Sequence, residues 1–370
     1  MNFGGLMEIF DIARLFDIKG EIMSIEPYGN GHINVTYLVK TDFNGNEGKY
    51  ILQKINTNVF PRVDELMQNI ANVTAYMRKI VLERGGNPDR EVMTVVPKKD
   101  GSSYHIDESG AYRVYLFIDN TTALQIVDNA SVFEGAGRAF GEFVDMLNGF
   151  DAKSLHEVIY NFHNTASRFM NFINAVDADK VNRCDSVKDE IDFVLKRSGI
   201  CDKIVTMLDK GVLPLRVTHN DTKLNNVLLD ESTLEPVCVI DLDTIMPGSL
   251  LYDFGDAIRS GCNTGLEDEK DLSKVGFDIN LYESFTRGFM SGVKGNITEM
   301  EVEMLSFGAI LMTFECGMRF LTDYLDGDNY FRIHYPEHNL VRCRTQFKMV
   351  SDMEKLQNQM DEIARRYYKK

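Results

Sequence analysis

Apolar positions recur along this chain with two periods, and the change from one to the other divides it. Ile22 to Lys40 reads as strand, turn, strand, with the turn at Tyr28-Gly29-Asn30-Gly31-His32-Ile33-Asn34 and the return through Thr36-Tyr37-Leu38-Val39. Lys49 to Ile55 is a third strand, and Val92–Val96 with Ala111–Ile118 complete a small sheet. A short helix near Ile9 to Phe16 precedes them. Between the strands, Val63, Leu66, Met67, Ile70, Val73, Met77 and Ile80 recur at helical spacing after Pro61. The apolar run Arg113–Ile118 then meets Asp119-Asn120-Thr121-Thr122, a polar change that predicts a hinge between an N-terminal lobe, residues 1–118, and a second lobe, residues 119–370. Beyond it the period is helical from Ser131 to Gly211, with Phe133, Ala136, Phe140, Phe143, Val144 and Leu147 on one face, and again over 274–294 and 298–325. A charged helix closes the chain. Sheet first and helices after predict an α+β, two-lobed fold.

One hairpin interrupts the helical half. Residues 227 to 230 form a strand, Glu231 to Pro236 a turn, and Val237 to Ile240 the return, which brings Asp241 back beside Asn226. Asp221 lies five residues before Asn226. An isolated Asp or Asn commonly caps a turn. Three such side chains, ordered around apolar strands, suit phosphoryl transfer: one carboxylate takes the proton of the attacking hydroxyl, and an amide oxygen with a second carboxylate holds Mg²⁺ against nucleotide phosphates. The spacing His219-x-Asp221-x-x-x-x-Asn226 is that of a kinase catalytic loop. Asp221 is therefore the expected base, and Asn226 and Asp241 the expected metal ligands.

The rest of such a site can be sought on the same logic. Gly29 and Gly31 permit close approach of backbone to phosphates, although Asn-Gly is also a common hairpin turn. His32 and Asn34 face nucleotide or substrate from that loop, or are ordinary turn residues. Gln53 stands where kinases keep a phosphate-pairing Lys, with Lys54 beside it; alternation lets only one of them face the cleft. Glu65 is either a partner for that cation or a first-turn Glu that complements the helix dipole. Adenine is expected on the backbone of Phe117, Ile118 and Asp119. His156 and His163 read as surface or packing residues. Asp253 either caps the following helix or braces the catalytic loop. In the nearly apolar run Gly308–Leu321, Glu315 and Arg319 are four apart, which fits an ion pair or contact with a polar substrate.

Composition narrows the setting. The 370 residues, 44% of them hydrophobic, can fill the cores of two domains. Cys184, Cys201, Cys238, Cys262, Cys316 and Cys343 show no paired spacing, so neither zinc nor a disulfide framework is expected. Asp11 and Asp17 break the apolar start, and no uncharged run reaches membrane-spanning length. A cytoplasmic monomer without membrane contact is the expectation. The net charge of −16 argues against a nucleic-acid partner and is compatible with a cationic small molecule.

The motif His219-x-Asp221 with Asn226 and Ile240-Asp241-x-Asp243 resembles the aminoglycoside phosphotransferase and choline kinase superfamily, which implies a protein-kinase-like fold with ATP and Mg²⁺ as cofactors. Glu26–Asn34, Arg216–Asn226, Ile240–Gly248, Leu266–Lys274 and Tyr335–Arg342 resemble the N-acetylhexosamine 1-kinases within it, over about residues 20 to 350. That resemblance implies phosphorylation of N-acetylglucosamine or N-acetylgalactosamine at the anomeric hydroxyl. It also implies a sugar pocket lined by His32, Asp221, Glu315, Arg319 and Tyr330. The family places an aromatic residue near position 260, where this chain has Ser260, and the chain has no Trp. An aminoglycoside, choline or homoserine kinase, and a nucleotide-binding pseudokinase, are the competing readings.

Overall fold

The computed structural model of the protein describes residues 3–29, 33–127 and 129–368; Gly31 and His32, two of the expected site residues, lie outside them. After helix α1 (Phe3–Arg14) come strands β1 (Glu21–Pro27), β2 (Val35–Phe43) and β3 (Asn46–Ile55). Helix α2 (Val63–Glu83) and the single turn α3 (Pro88–Glu91) lead to β4 (Val95–Val96), β5 (His105–Asp107) and β6 (Gly110–Leu116). These strands form one antiparallel sheet in the order β1-β2-β3-β6-β4, with β5 also on β6. An N-terminal antiparallel sheet lobe is thus followed by a mainly helical region, as the periodicity predicts.

That second region runs through β7 (Thr121–Thr122), α4 (Ala130–Leu147), α5 (Thr165–Ala178), α6 (Lys188–Leu195) and α7 (Lys203–Asp209) to β8 (Arg216–Thr218). The hairpin β9 (Val227–Asp230) and β10 (Pro236–Val239) follows, then β11 (Met246–Gly248), α8 (Leu250–Gly261), α9 (Ile279–Gly292), α10 (Glu299–Glu303), α11 (Leu305–Asp326) and α12 (His338–Tyr367). No helix among the described residues is long and apolar enough to cross a membrane.

Two contacts place the site. On α2, Leu66, Met67, Ile70, Val73, Met77 and Val81 are buried at the expected period. Two polar residues, Thr74 and Asn69, are buried with them; Asn69 is fully buried, and its amide nitrogen donates to His156 O at 2.8 Å and Ile245 O at 3.0 Å. Asn69 ties the helix beside the sheet to the loop that follows Asp241, the expected metal ligand. The other contact is α4 against α9, where Gly137 and Gly141 face Gly288 and Gly292; a Cβ on Gly288 would run into the Glu134 carbonyl, and one on Gly141 into the Phe289 carbonyl. Backbones this close leave no room for a methyl. Gly288→Ala is therefore expected to cost about 1–3 kcal/mol of stability, read as a lower denaturation midpoint, while Gly199→Ala, with open space around it, should change little.

Candidate active site

The close packing of α4 matters because that helix carries Phe140 and Phe143, whose rings meet His219 edge-on at 5.7 and 5.9 Å. His219 is fully buried. Its Nε2 donates to Ile240 O at 2.9 Å and its Nδ1 accepts from the Asp221 amide at 3.3 Å, partners that specify the neutral ring with its proton on Nε2. One side chain thus joins the loop at 219–226 to the strand end at 240. The mouth of the hairpin is closed by Ile240 N donating to Asn226 O at 2.9 Å.

Asp253, in the first turn of α8, sets the backbone of that loop. Its carboxylate accepts His219 N at 2.9 Å and Asn220 N at 2.7 Å, and it is buried. Of the two roles open to it, bracing is the one it takes, since the helix cap is Ser249. Asn220 sits at φ 64° and Asp241 at φ 62°, left-handed values that side-chain-bearing residues adopt at a cost of about 1–3 kcal/mol. Asn220 is held there by Nδ2 donating to Thr244 O at 2.8 Å. Thr222 N donates to Asp256 Oδ2 at 3.1 Å, so α8 grips the loop on both sides of Asp221.

Asp221, Asn226 and Asp241 converge as the spacing predicts. Asn226 Nδ2 donates to Asp221 O at 2.8 Å and to Asp221 Oδ2 at 3.1 Å, which leaves its Oδ1 to accept or to ligate. Asp221, its side chain 28% exposed, pairs through Oδ1 with Lys223 Nζ at 2.7 Å. Crowding works to raise its pKa, but the Lys223 ammonium outweighs that and holds the carboxyl below its ordinary value, so it is ionised at neutral pH. Asp243 is paired with Arg113 at 2.6 Å. Of the three carboxylates, Asp241 is the one with no cation paired to it among the described residues.

Asp241 is open to solvent, yet the protein atoms around it, with Asp243 and then Asp221 nearby, push its carboxyl up to about 7. An uncompensated carboxylate beside a free amide oxygen is chemistry suited to Mg²⁺, which takes one or two protein oxygens and completes its shell with phosphates and water. Among the described residues no group of three or more His, Cys, Asp or Glu is placed to hold a metal ion. The pH consequence has a definite sign. The folded pKa lies above the ordinary 3.8, so stability contributed by this group without metal is full below about pH 4 and is lost as pH rises through about 7. A divalent cation competes with the same proton. Mg²⁺ with ADP should therefore raise the denaturation midpoint more at pH 8 than at pH 6, and Asp241→Asn should abolish that difference.

On the sheet side, Gln53 does not stand free as a phosphate contact. Its Oε1 accepts from Arg113 Nε and Nη2 at 3.0 and 2.8 Å, and its Nε2 donates to Thr36 Oγ1 at 3.2 Å. Lys54 lies over the Tyr112 ring, 5.6 Å from its centroid, and Glu65 pairs with Arg62 at 2.6 Å. Neither supplies the missing lysine or its partner. Asn34 donates through Nδ2 to Asp243 Oδ2 at 2.7 Å. Gly29 has φ 72° at the start of the β1–β2 turn. In the segment expected to form the hinge, Phe117 N donates to Lys49 O, Ile118 O accepts Thr121 Oγ1 and Asp119 O accepts Arg90 Nη1, while the Asp119 side chain pairs with Lys49. Among the described residues the Ile118 and Asp119 amides and the Phe117 carbonyl have no hydrogen-bond partner.

On the other side, Glu315 and Arg319 part company. Glu315 is buried, with Oε1 held by His163 Nδ1 at 2.8 Å and Oε2 by Thr165 Oγ1. Burial would raise its pKa, and those hydrogen bonds bring it below the ordinary value instead. The i,i+4 ion pair is not formed; each Glu315 oxygen is instead held by a donor from the segment 163–165. His163, whose Nε2 donates to Asn220 O at 3.3 Å, links α11 to the catalytic loop. One turn further, the Arg319 guanidinium lies among the rings of Phe162, Tyr330 and Phe331, 5.3 to 5.9 Å from their centroids. Arg319 and Tyr330 line a cavity of about 490 Å³ with Arg168, Asn171, Asn174 and Phe331; Asp221, Asn226 and Asp241 are not in its wall.

A model described as the phosphotransferase enzyme family matches residues 24–272. The chain belongs to that family. Three solved structures share its fold over nearly their whole length. A microcompartment-associated aminopropanol kinase is 16% identical at TM-score 0.63, covering 96% of this chain and 98% of its own. A choline kinase from Cryptosporidium parvum is 14% identical at TM-score 0.59, with 95% and 96% covered. A spectinomycin phosphotransferase, in complex with ADP and spectinomycin, is 13% identical at TM-score 0.54, with 98% of both chains covered.

Several residues that build the site of this phosphotransferase escaped the sequence reading. Lys223 was legible, two residues after Asp221 in the motif itself. Arg113 and Asp256 gave a weaker signal: each is a charge in an apolar run that must bury it, and buried charges are paired. Arg259, buried and paired with Asp256 at 2.8 Å and Glu267 at 3.1 Å, extends the brace from the catalytic loop to the segment after α8.

Proposed function

We propose that this phosphotransferase moves the terminal phosphoryl group of ATP to the anomeric 1-hydroxyl of an N-acetylhexosamine. Asp221 orients that hydroxyl and takes its proton; Lys223 keeps the carboxylate ionised until it does. Asn226 Oδ1 and Asp241 would hold Mg²⁺, which when bound neutralises charge on the phosphates. Adenine lies against the hinge at 117–119, and we place the lobe boundary there, at 118. Gly29 begins the loop that covers the phosphates. Gln53 serves the site by orienting Arg113.

The charge of the cavity beside α11 carries the choice of acceptor. Arg168 and Arg319 both line it and neither has a carboxylate partner among the described residues, while Asp326 is paired with Lys180 and Asp323 is filled by three backbone amides and Asn339. Burial and the nearby Arg319 charge both lower the Arg168 pKa. A wall with two unpaired guanidiniums repels choline, ethanolamine or an aminoglycoside. It suits a neutral acceptor rich in hydroxyls and carbonyls, to which arginine donates and against which Tyr330 and Phe331 can lie. Sugar and strings of sequence similarity point the same way.

An acceptor panel tests this. With ATP and Mg²⁺, N-acetylglucosamine or N-acetylgalactosamine should be consumed, giving a phosphorus resonance coupled to the anomeric proton and a product cleaved by mild acid. Turnover restricted to choline, ethanolamine, aminopropanol or an aminoglycoside would reject the sugar reading while leaving the phosphotransferase intact.

A further inference from the structure

Kinase-like sites place a cation on the third strand, yet position 53 here is Gln and the neighbouring Lys54 turns away to Tyr112. The positive charge in that part of the sheet comes from Arg113 on β6, directly opposite Gln53 in the strand register. Arg113 is only 1% exposed. Burying a guanidinium is costly, and a buried ion pair is a poor device for stability alone, since well-packed apolar side chains in its place often do as well. Its geometry is instead that of a clamp. Nε and Nη2 close on Gln53 Oε1, Nη1 meets Asp243 Oδ1 at 2.6 Å, and Asp243 Oδ2 accepts from Asn34.

The three carboxylates at the cleft are thereby sorted. Asp221 has Lys223 and Asp243 has Arg113; Asp241 has neither a cation nor a hydrogen bond among the described residues. Asp241 and Asp243 are two residues apart on one short loop, and either could compete for a divalent cation. The pair between Arg113 and Asp243 is off-line enough that Nη1 and Oδ1 form no directed hydrogen bond, so the contact acts through charge and position. We propose that Arg113 is the positioning residue of the metal-binding loop: by claiming Asp243 from the sheet it fixes the loop and leaves Asp241 as the one carboxylate free for metal. It thus does from β6, through Asp243, what a lysine on β3 does by touching phosphate. The proposal rests on the phosphotransfer reading of Asp241.

Calorimetric binding of Mg²⁺·ADP, compared with ADP in chelator, tests it without any turnover. Arg113→Met should weaken Mg²⁺·ADP by about 10- to 100-fold, the usual effect of losing a group that orients a metal ligand, and should change ADP binding in chelator far less. Arg113→Lys should recover part of the affinity, because an ammonium can pair with Asp243 but cannot also grip Gln53. The double variant Arg113→Met with Asp243→Asn removes both buried charges and should recover the denaturation midpoint lost in the single variant, but not the metal-dependent affinity. If the double variant binds Mg²⁺·ADP as the wild type does, Arg113 only neutralises a buried carboxylate and the proposal fails. A wild type whose ADP affinity is indifferent to Mg²⁺ would instead sink the metal assignment of Asp241, and this proposal with it.

Discussion

Asp221→Asn is expected to lower kcat by about 10²- to 10⁴-fold, the usual worth of a positioned general base. The substitution keeps the shape of the side chain. An amide oxygen can still accept from Asn226 Nδ2, now 3.1 Å from the carboxylate, so the loop has no reason to move. What is lost is the ability to take a proton. Nucleotide binding should stay within a few-fold of wild type, since the hinge and the Asn226–Asp241 pair are untouched, and the denaturation midpoint should hardly shift. Steady-state kinetics with saturating acceptor, alongside ADP binding, separates the two effects. A variant that turns over at near-normal rate would remove Asp221 from the chemistry.

The second large effect is expected at a residue that touches no substrate. Asp253→Ala leaves the buried amides of His219 and Asn220 without acceptors, and each such orphan costs about 1–3 kcal/mol. A loss of about 2–6 kcal/mol is a large share of the about 5–15 kcal/mol that holds a folded protein together. The left-handed turn at Asn220 would also lose one of the contacts that hold it. Chemical denaturation should therefore show a much lower midpoint, and the folded fraction should turn over poorly because Asp221 is no longer aimed. Asp253→Asn offers one oxygen where two are needed and should fall between.

What could be seen in the sequence follows from the range of the forces involved. The hairpin at 227–239 and the return of Asp241 to Asn226 were legible because alternation, a short turn and a fixed offset specify them locally. The apolar faces of α2 and α4 were legible for the same reason. Boundaries were less so: the strand expected from Val92 begins at Val95, because Asn87 caps the turn at Pro88–Glu91 just before it. The single long helical pattern over 131–211 breaks into α4, α5, α6 and α7, each bounded by its own cap or turn. Partners were the hardest to see. Glu315 goes to His163 and Thr165 rather than to Arg319, one turn away, and Gln53 goes to Arg113; both choices are made by helices and strands that meet only in three dimensions. A charge in an apolar run announces that a partner exists without naming it.

In the proposed mechanism Asp221 shares one cleft with a metal held by Asn226 and Asp241 and with the hydroxyl of a sugar. A crystal grown with Mn²⁺, a non-hydrolysable ATP analogue and N-acetylglucosamine measures all of it at once. Anomalous density is expected bonded to Asn226 Oδ1 and Asp241, with the anomeric oxygen within hydrogen-bonding distance of the Asp221 carboxylate. Manganese ligated elsewhere, or a sugar whose anomeric oxygen faces away from Asp221, would contradict it.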